Sequence, residues 1–63
     1  MPAPDRFCIR RNDLFLSVHY DIGTRETRVI ASSRPFARLF DTREEAKGFR
    51  DIWGRQDDEI EIY

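Results

Sequence analysis

The chain has 63 residues, of which 37% are charged and 40% are hydrophobic, and its formal net charge at pH 7 is −1. A chain of this length has room for one small core, so we expect a single domain over 1–63, with 1–5 as a flexible N-terminal arm. Its single cysteine excludes an internal disulfide, and one cysteine with one histidine cannot form a closed zinc site. The chain has no long apolar run and no signal-peptide features, so we expect a cytoplasmic protein of a bacterial host cell, without membrane contact.

The first two predicted strands form a β-hairpin. Arg6–Arg11 and Leu14–Tyr20 are joined by Asn12-Asp13, and both residues of this turn tolerate the positive φ of a tight hairpin. A two-residue loop places Ile9 opposite Leu16 and Phe7 opposite Val18. The inner face of the hairpin then receives Phe7, Ile9, Leu14, Leu16, Val18 and Tyr20. The outer face receives Arg6, Cys8, Arg10, Phe15, Ser17 and His19.

A third strand is predicted after a second turn at 21–24. Thr27–Ala31 is rich in β-branched residues, and either Val29 or Ile30 points inward. The segment 32–35 is predicted as a loop, because Arg34 precedes a proline and is steered away from helical backbone.

One amphipathic helix is predicted from Arg43 to Trp53. A short extended piece at Ala37–Phe40 leads into it, and Thr42 and Glu45 have the spacing of a capping box. Gly54 is predicted to end the helix in the left-handed conformation. The apolar side chains recur at helical spacing and predict one buried stripe, formed by Ala46, Phe49, Ile52 and Trp53.

The chain closes with a predicted strand over Glu59–Tyr63, in which Ile60 and Ile62 point inward. The predicted fold is therefore α+β: a small, mainly antiparallel sheet in the order β-β-β-α-β, with one helix packed across one face. The sequence leaves open whether the last strand lies beside the first or the third.

The residues around the helix start resemble a signature of small phage and prophage proteins. The matching pattern is A-x-x-F-x-T-x-E-E-A, which this chain forms with Ala37, Phe40, Thr42, Glu44, Glu45 and Ala46. In those proteins a meander of strands also leads into one helix and often a final strand. The resemblance implies an accessory or inhibitory role, and anti-CRISPR proteins are one functional class of this size.

The sequence does not predict an enzyme. Cys8 and His19 lie on one face of the predicted hairpin, but only as diagonal neighbours on an open sheet, which offers no pocket that excludes water. The acidic run Asp57-Asp58-Glu59 lacks the alternating framework of a calcium loop. We therefore expect no metal, no cofactor and no small-molecule substrate.

The acidic end of the chain is the predicted partner-binding surface. It would compete with nucleic acid for a basic groove in a host effector complex, as an anti-CRISPR-like inhibitor. Its carboxylates are Asp57, Asp58, Glu59 and Glu61, with Tyr63 or Phe15 as the aromatic anchor. The alternative explanation is that charge on an edge strand suppresses unwanted strand pairing.

Two other functions remain open. The first is a nucleic-acid-binding module on the arginine-rich hairpin face, through Arg6, Arg10, Arg11, Arg38 and Arg43 with Phe15. The net charge of −1 counts against it, because such modules usually carry a basic excess. The second is an oligomerising structural accessory protein whose small core is completed by a neighbour. We expect a monomer or a weak homodimer.

Overall fold

A computed structural model describes residues 5–63 of the chain. They form a four-stranded antiparallel sheet and one α-helix, which confirms the predicted α+β fold. The elements are β1 (Phe7–Arg11), β2 (Leu14–Asp21), β3 (Glu26–Ser32), α1 (Arg43–Trp53) and β4 (Glu59–Ile62). The expected arm at 1–5 falls mostly on residues 1–4, outside the described residues, while Asp5 is exposed.

The strand order β3-β2-β1-β4 places the last strand beside the first. β4 runs antiparallel to β1, with Phe7 opposite Ile62 and Arg10 opposite Glu59. This arrangement answers the question that the sequence left open. It makes β3 and β4 the two edges of the sheet.

The β1–β2 hairpin has the predicted register at its turn, with Arg10 opposite Phe15. Asn12 adopts a φ of 55°, as expected for the tight turn. The predicted pairing of Phe7 with Val18 is wrong, because Phe40 occupies that side of Phe7. The two phenylalanines exchange backbone hydrogen bonds of 2.8 Å in both directions.

The segment before the helix therefore enters the sheet between β1 and β2. The Arg38 N–H donates to the Leu16 carbonyl at 2.9 Å, and the side chain of Phe40 is buried. Burial of this phenyl ring stabilises the fold. If β1 and β2 paired along their whole length, Phe40 could not pair with Phe7. The predicted extended piece at Ala37–Phe40 thus forms backbone hydrogen bonds with both strands of the hairpin.

The β2–β3 hairpin decides which residue of β3 points toward the helix. Val29 pairs with Val18 and packs against the core, whereas Ile30 faces the opposite side. The turn is held by Asp21, whose Oδ1 accepts the Gly23 N–H at 2.9 Å. Arg25 closes the turn with a φ of 58°.

One turn of 3-10 helix at Arg34–Phe36 follows β3, where a loop was predicted. Pro35 lies in its first turn, where a missing backbone N–H removes no internal hydrogen bond. Arg34 is therefore part of a short helical turn rather than steered away from it.

The ends of α1 differ from the prediction in detail. The Thr42 hydroxyl accepts the Glu45 N–H at 3.1 Å, as in a capping box, but the Glu45 carboxylate accepts the Asp41 N–H instead of that of Thr42. Gly54 has a φ of −102°, so the predicted left-handed conformation is wrong. Glycine is needed there for space, because a Cβ atom would lie 2.8 Å from Oδ2 of Asp58.

The buried core lies between α1 and the strands. It consists of Ile9, Leu16, Phe40 and Ala46, with Phe7, Val29, Phe49 and Ile60 packed around them. The rings of Phe40 and Phe49 meet at 5.2 Å between centroids. The predicted inward orientation of Ile60 is therefore confirmed.

Several residues predicted to be buried are exposed: Leu14, Val18, Tyr20, Ile52, Trp53 and Ile62. For the three residues on β2, which are Leu14, Val18 and Tyr20, the physical reason is the width of the helix. An α-helix is about 10 Å across and strands lie about 4.8 Å apart, so one helix covers about two strands. In this fold α1 packs mainly against β1 and β4, so Leu16 of β2 is buried while Val18 and Tyr20 of the same strand are left exposed. None of the described helices is long and apolar enough to span a membrane.

Candidate interaction surfaces

The predicted acidic surface is assembled where the chain leaves α1 and enters β4. Asp57 and Asp58 lie in the connecting turn, and Glu59 and Glu61 lie on β4. Glu61 is opposite Cys8 and Glu59 is opposite Arg10, so both glutamates are on the face of the sheet away from the helix. The predicted common face of the two glutamates is thus present.

Arg10 neutralises part of this surface from the neighbouring strand. Its Nη2 lies 2.6 Å from Oε2 of Glu59, and its Nε lies 2.8 Å from Oε1 of Glu61. The hydrogen bond to Glu59, followed by the charge of Glu61, raises the pKa of Arg10. The Arg10 guanidinium thus forms ion pairs with two carboxylates, and the three side chains together carry a charge of −1.

Asp58 is buried and holds the turn after the helix together. Its two carboxylate oxygens each accept one hydrogen bond of 2.8 Å from Arg11, and Oδ2 also accepts the Arg55 N–H at 2.7 Å. The hydrogen bonds from Arg11 lower the pKa of Asp58. With only 3% of the residue exposed, Asp58 is a structural carboxylate that a partner protein cannot reach.

The two predicted aromatic anchors are also engaged within the chain. The Arg34 guanidinium lies 4.7 Å from the centroid of the Tyr63 ring and donates to the main-chain oxygen of Tyr63. Phe15 is half-buried, in the strand between β1 and β3. Among the predicted acidic residues, Asp57 alone is exposed without an ion pair in the described part of the chain. The acidic end is therefore mostly bound to its own arginines.

The arginines of the alternative nucleic-acid surface are divided between two places. Arg10 and Arg11 are bound to the acidic end. The other three surround the paired residues Phe7 and Phe40. Arg43 lies 5.1 Å from the Phe7 ring, Arg38 lies 5.8 Å from the Phe40 ring, and Arg6 lies 4.0 Å from Asp41. The structure therefore does not bring the five arginines into one basic patch.

An open depression of about 440 Å³ lies beside the hairpin turn, lined by Arg10, Asn12, Asp13, Asp57 and Glu59. This lining is polar and lacks the apolar walls typical of small-molecule sites. Within 5–63, no three acidic, histidine or cysteine side chains are grouped so that they could hold a metal ion.

The predicted outer-face position of Cys8 does not leave it exposed. The thiol is buried, and burial raises its pKa, which disfavours the reactive thiolate. His19 is exposed on β2. The two side chains therefore differ sharply in their access to water.

The most exposed group of apolar side chains on α1 is one that the sequence pattern assigns to the core. We define the helix-end patch as Phe49, Ile52 and Trp53. Ile52 is 77% exposed, Trp53 is 51% exposed, and the Phe49 and Trp53 rings lie 6.4 Å apart. For Ile52, the angular position on the helix is the signal that could have predicted exposure. Six residues at about 100° each place Ile52 about 120° around the helix from buried Ala46.

Comparison with known proteins finds no family model, no curated protein and no solved structure that matches the chain. The fold itself defines a small α+β domain with one helix on an antiparallel sheet. Any statement on function therefore depends on the side chains of this domain and their surroundings.

Proposed function

We propose that the chain is a non-enzymatic interaction protein of the small phage type, which binds and inhibits a host nucleic-acid-binding protein through the helix-end patch. The observation that carries the proposal is the exposure of Trp53 and Ile52 on a well-capped helix. An anti-CRISPR protein is the most specific form of this proposal, and it is what the resemblance of the residues around Ala37 and Phe40 to small phage proteins implies.

The chemistry of the patch favours protein recognition. Tryptophan is among the residues that contribute most to protein interfaces, especially next to other apolar side chains. The Phe49 ring packs against the core and lies beside Trp53, so the indole is supported from one side. A partner that covers Trp53 and Ile52 would remove apolar surface from water at little cost in chain ordering.

Acidic side chains that flank the patch along the chain bear on the character of the partner. Asp51 precedes Ile52 on α1, whereas Asp57 follows the helix and lines the depression beside the hairpin turn, and both are exposed. Asp51 is 3.7 Å from Arg50, whereas Asp57 has no ion pair among the described residues. Negative charge beside an apolar anchor complements an apolar pocket with a basic rim, and nucleic-acid-binding proteins present such basic surfaces.

The experiment uses the immobilised chain to capture proteins from a nuclease-treated lysate of its native host. We expect one nucleic-acid-binding protein to be retained by the wild type and by Ile22→Ala, and lost with Trp53→Ala. Ile22 is an exposed apolar residue in a turn and serves as the matched control. Circular dichroism of both variants is the check that they fold like wild type.

The captured protein is then tested for nucleic-acid binding in a gel-shift assay, with and without the chain. Loss of the shifted band on addition of the chain supports inhibition. A captured protein that binds nucleic acid equally well in both cases contradicts it. A shift of DNA or RNA by the chain alone at low salt would instead favour the nucleic-acid-binding alternative.

A further inference from the structure

β3 is an edge strand whose outer side faces no other described strand. Its seven residues pair with β2 in one unbroken antiparallel register, from Asp21 opposite Glu26 to Phe15 opposite Ser32. The strand contains no proline, no lysine and no bulge, which are the features that usually protect an edge from pairing with another chain. β3 therefore presents an unpaired row of backbone donors and acceptors, with Glu26 and Arg28 as its only charged side chains.

We propose that two copies of the chain pair through β3, antiparallel, about a twofold axis at Val29. This pairing would join the two four-stranded sheets into one continuous sheet. It uses the edge far from β4, and α1 packs mainly on β1 and β4, so the helix-end patch is not part of it. The dimer and the proposed function can therefore succeed or fail separately.

The helix-side face of β3 is complementary to itself in this register. Val29 would meet Val29 of the second copy, and Thr27 would meet Ala31 of the second copy. All three side chains are uncharged, and β-branched pairs are favourable across antiparallel strands. The pairing would also extend the apolar row that now ends at Val18 and Val29.

The opposite face of β3 matches in the same register. Ile30, which is 46% exposed, would lie opposite Arg28 of the second copy. The aliphatic stem of an arginine covers apolar surface while its guanidinium stays in water. Arg28 already donates to Glu26 of its own strand at 3.4 Å, so its charge keeps a partner.

Other twofold registers are less favourable. An axis at Thr27 would pair only three residues, because Arg25 turns the chain away with its φ of 58°. An axis at Arg28 would place two like charges directly opposite each other, which is destabilising. An axis at Ile30 leaves Glu26 and Thr27 without partners, whereas the axis at Val29 pairs all seven residues.

The first test is the mass of the protein in solution across a concentration series, by sedimentation velocity. We expect wild type to shift from 7.5 kDa to twice that mass, and Ile30→Lys to raise the dissociation constant about tenfold or more. Ile22→Lys adds the same charge in the exposed turn outside β3 and should leave association unchanged. A wild type that stays monomeric, or a dimer unaffected by Ile30→Lys, overturns the proposal.

The second test identifies the register by single cysteines under mild oxidation. Val29→Cys should give a covalent dimer, because the two thiols would meet at the axis. The natural thiol of Cys8 is buried and serves as the internal background. Cross-linking by Thr27→Cys or Ile30→Cys in place of Val29→Cys would overturn the proposed axis.

Discussion

Asp58 is predicted from the sequence to bind a partner, but in the structure it is a buried residue that stabilises the fold. In the sequence it belongs to a run of solvated acids, but in the fold it accepts three hydrogen bonds and is buried. It ties Arg11 at the end of β1 to Arg55 in the turn after α1. Its charge therefore stabilises the chain itself.

Asp58→Asn should lower the free energy of unfolding by about 2 to 4 kcal/mol, because it leaves a half-buried Arg11 without its carboxylate partner. Urea denaturation followed by circular dichroism measures the change. Asp57→Asn removes the neighbouring, exposed carboxylate and should change stability by less than about 0.5 kcal/mol. Equal effects of the two variants would contradict the structural role of Asp58.

The same carboxylate predicts an acid-sensitive stability. The pKa of Asp58 is lower in the folded chain than its ordinary value of 3.8, mainly because of the hydrogen bonds from Arg11. The folded state therefore binds fewer protons than the unfolded state, so this contribution is complete above the ordinary value and is lost as pH falls through the folded pKa. Urea midpoints from pH 6 to pH 2 should fall less steeply for Asp58→Asn than for wild type.

Two glycines should respond to alanine with opposite signs. Gly54→Ala should be destabilising by about 1 to 3 kcal/mol, because the new Cβ would lie 2.8 Å from Asp58 and 3.1 Å from the Arg50 carbonyl oxygen. Gly48→Ala meets no atom within 4 Å and should be stabilising by about 1 kcal/mol through helix propensity. Thermal unfolding of both variants measures these changes in stability. Destabilisation by Gly48→Ala would contradict the open surroundings of this residue.

At the scale of elements, the helix start depends on one hydroxyl. Thr42→Ala removes the acceptor of the Glu45 N–H and should cost about 1 kcal/mol. Ser33 occupies the same position before the 3-10 turn, but its side chain makes no capping hydrogen bond, so Ser33→Ala is the matched control. Equal stability losses for both variants, measured by urea denaturation, would argue against the cap.

The existence and order of the elements could be predicted because their signals are local. The alternation in β1 and β2, the turn at Asn12 and the cap at Thr42 each act within a few residues. The burial of whole faces could not be predicted in the same way. It depends on how much of the sheet one helix can cover, which is why Val18 and Tyr20 of β2 are exposed.

Whether the charges of the acidic end are paired depends on a long-range contact, the pairing of β4 with β1. Once β4 pairs with β1, Arg10 lies opposite Glu59 and beside Glu61, so the ion pairs follow from the register. The sequence left the place of β4 open, so it could not show that these charges are paired. The exposure of Ile52 has a different reason, which is its angular position on the helix. Trp53 lies on the side of Ala46 but is the last residue of α1, so its exposure could not be predicted from helical spacing.

For the whole molecule, a small core leaves apolar surface in two separate regions. One is the helix-end patch, and the other is the open half of the sheet that ends at β3. Three of the four carboxylates at the acidic end form ion pairs with Arg10 and Arg11 of the chain itself. These ion pairs are why the proposal relies on apolar contact at the helix-end patch rather than on an acidic strip.

The most direct measurement compares two variants in capture of the host protein. We expect Trp53→Ala to lose the captured protein, whereas the double variant Glu59→Gln and Glu61→Gln retains it, since those glutamates are bound to Arg10. The opposite result, with retention by Trp53→Ala and loss by the double variant, would contradict binding through the helix-end patch and restore the acidic surface as the binding site.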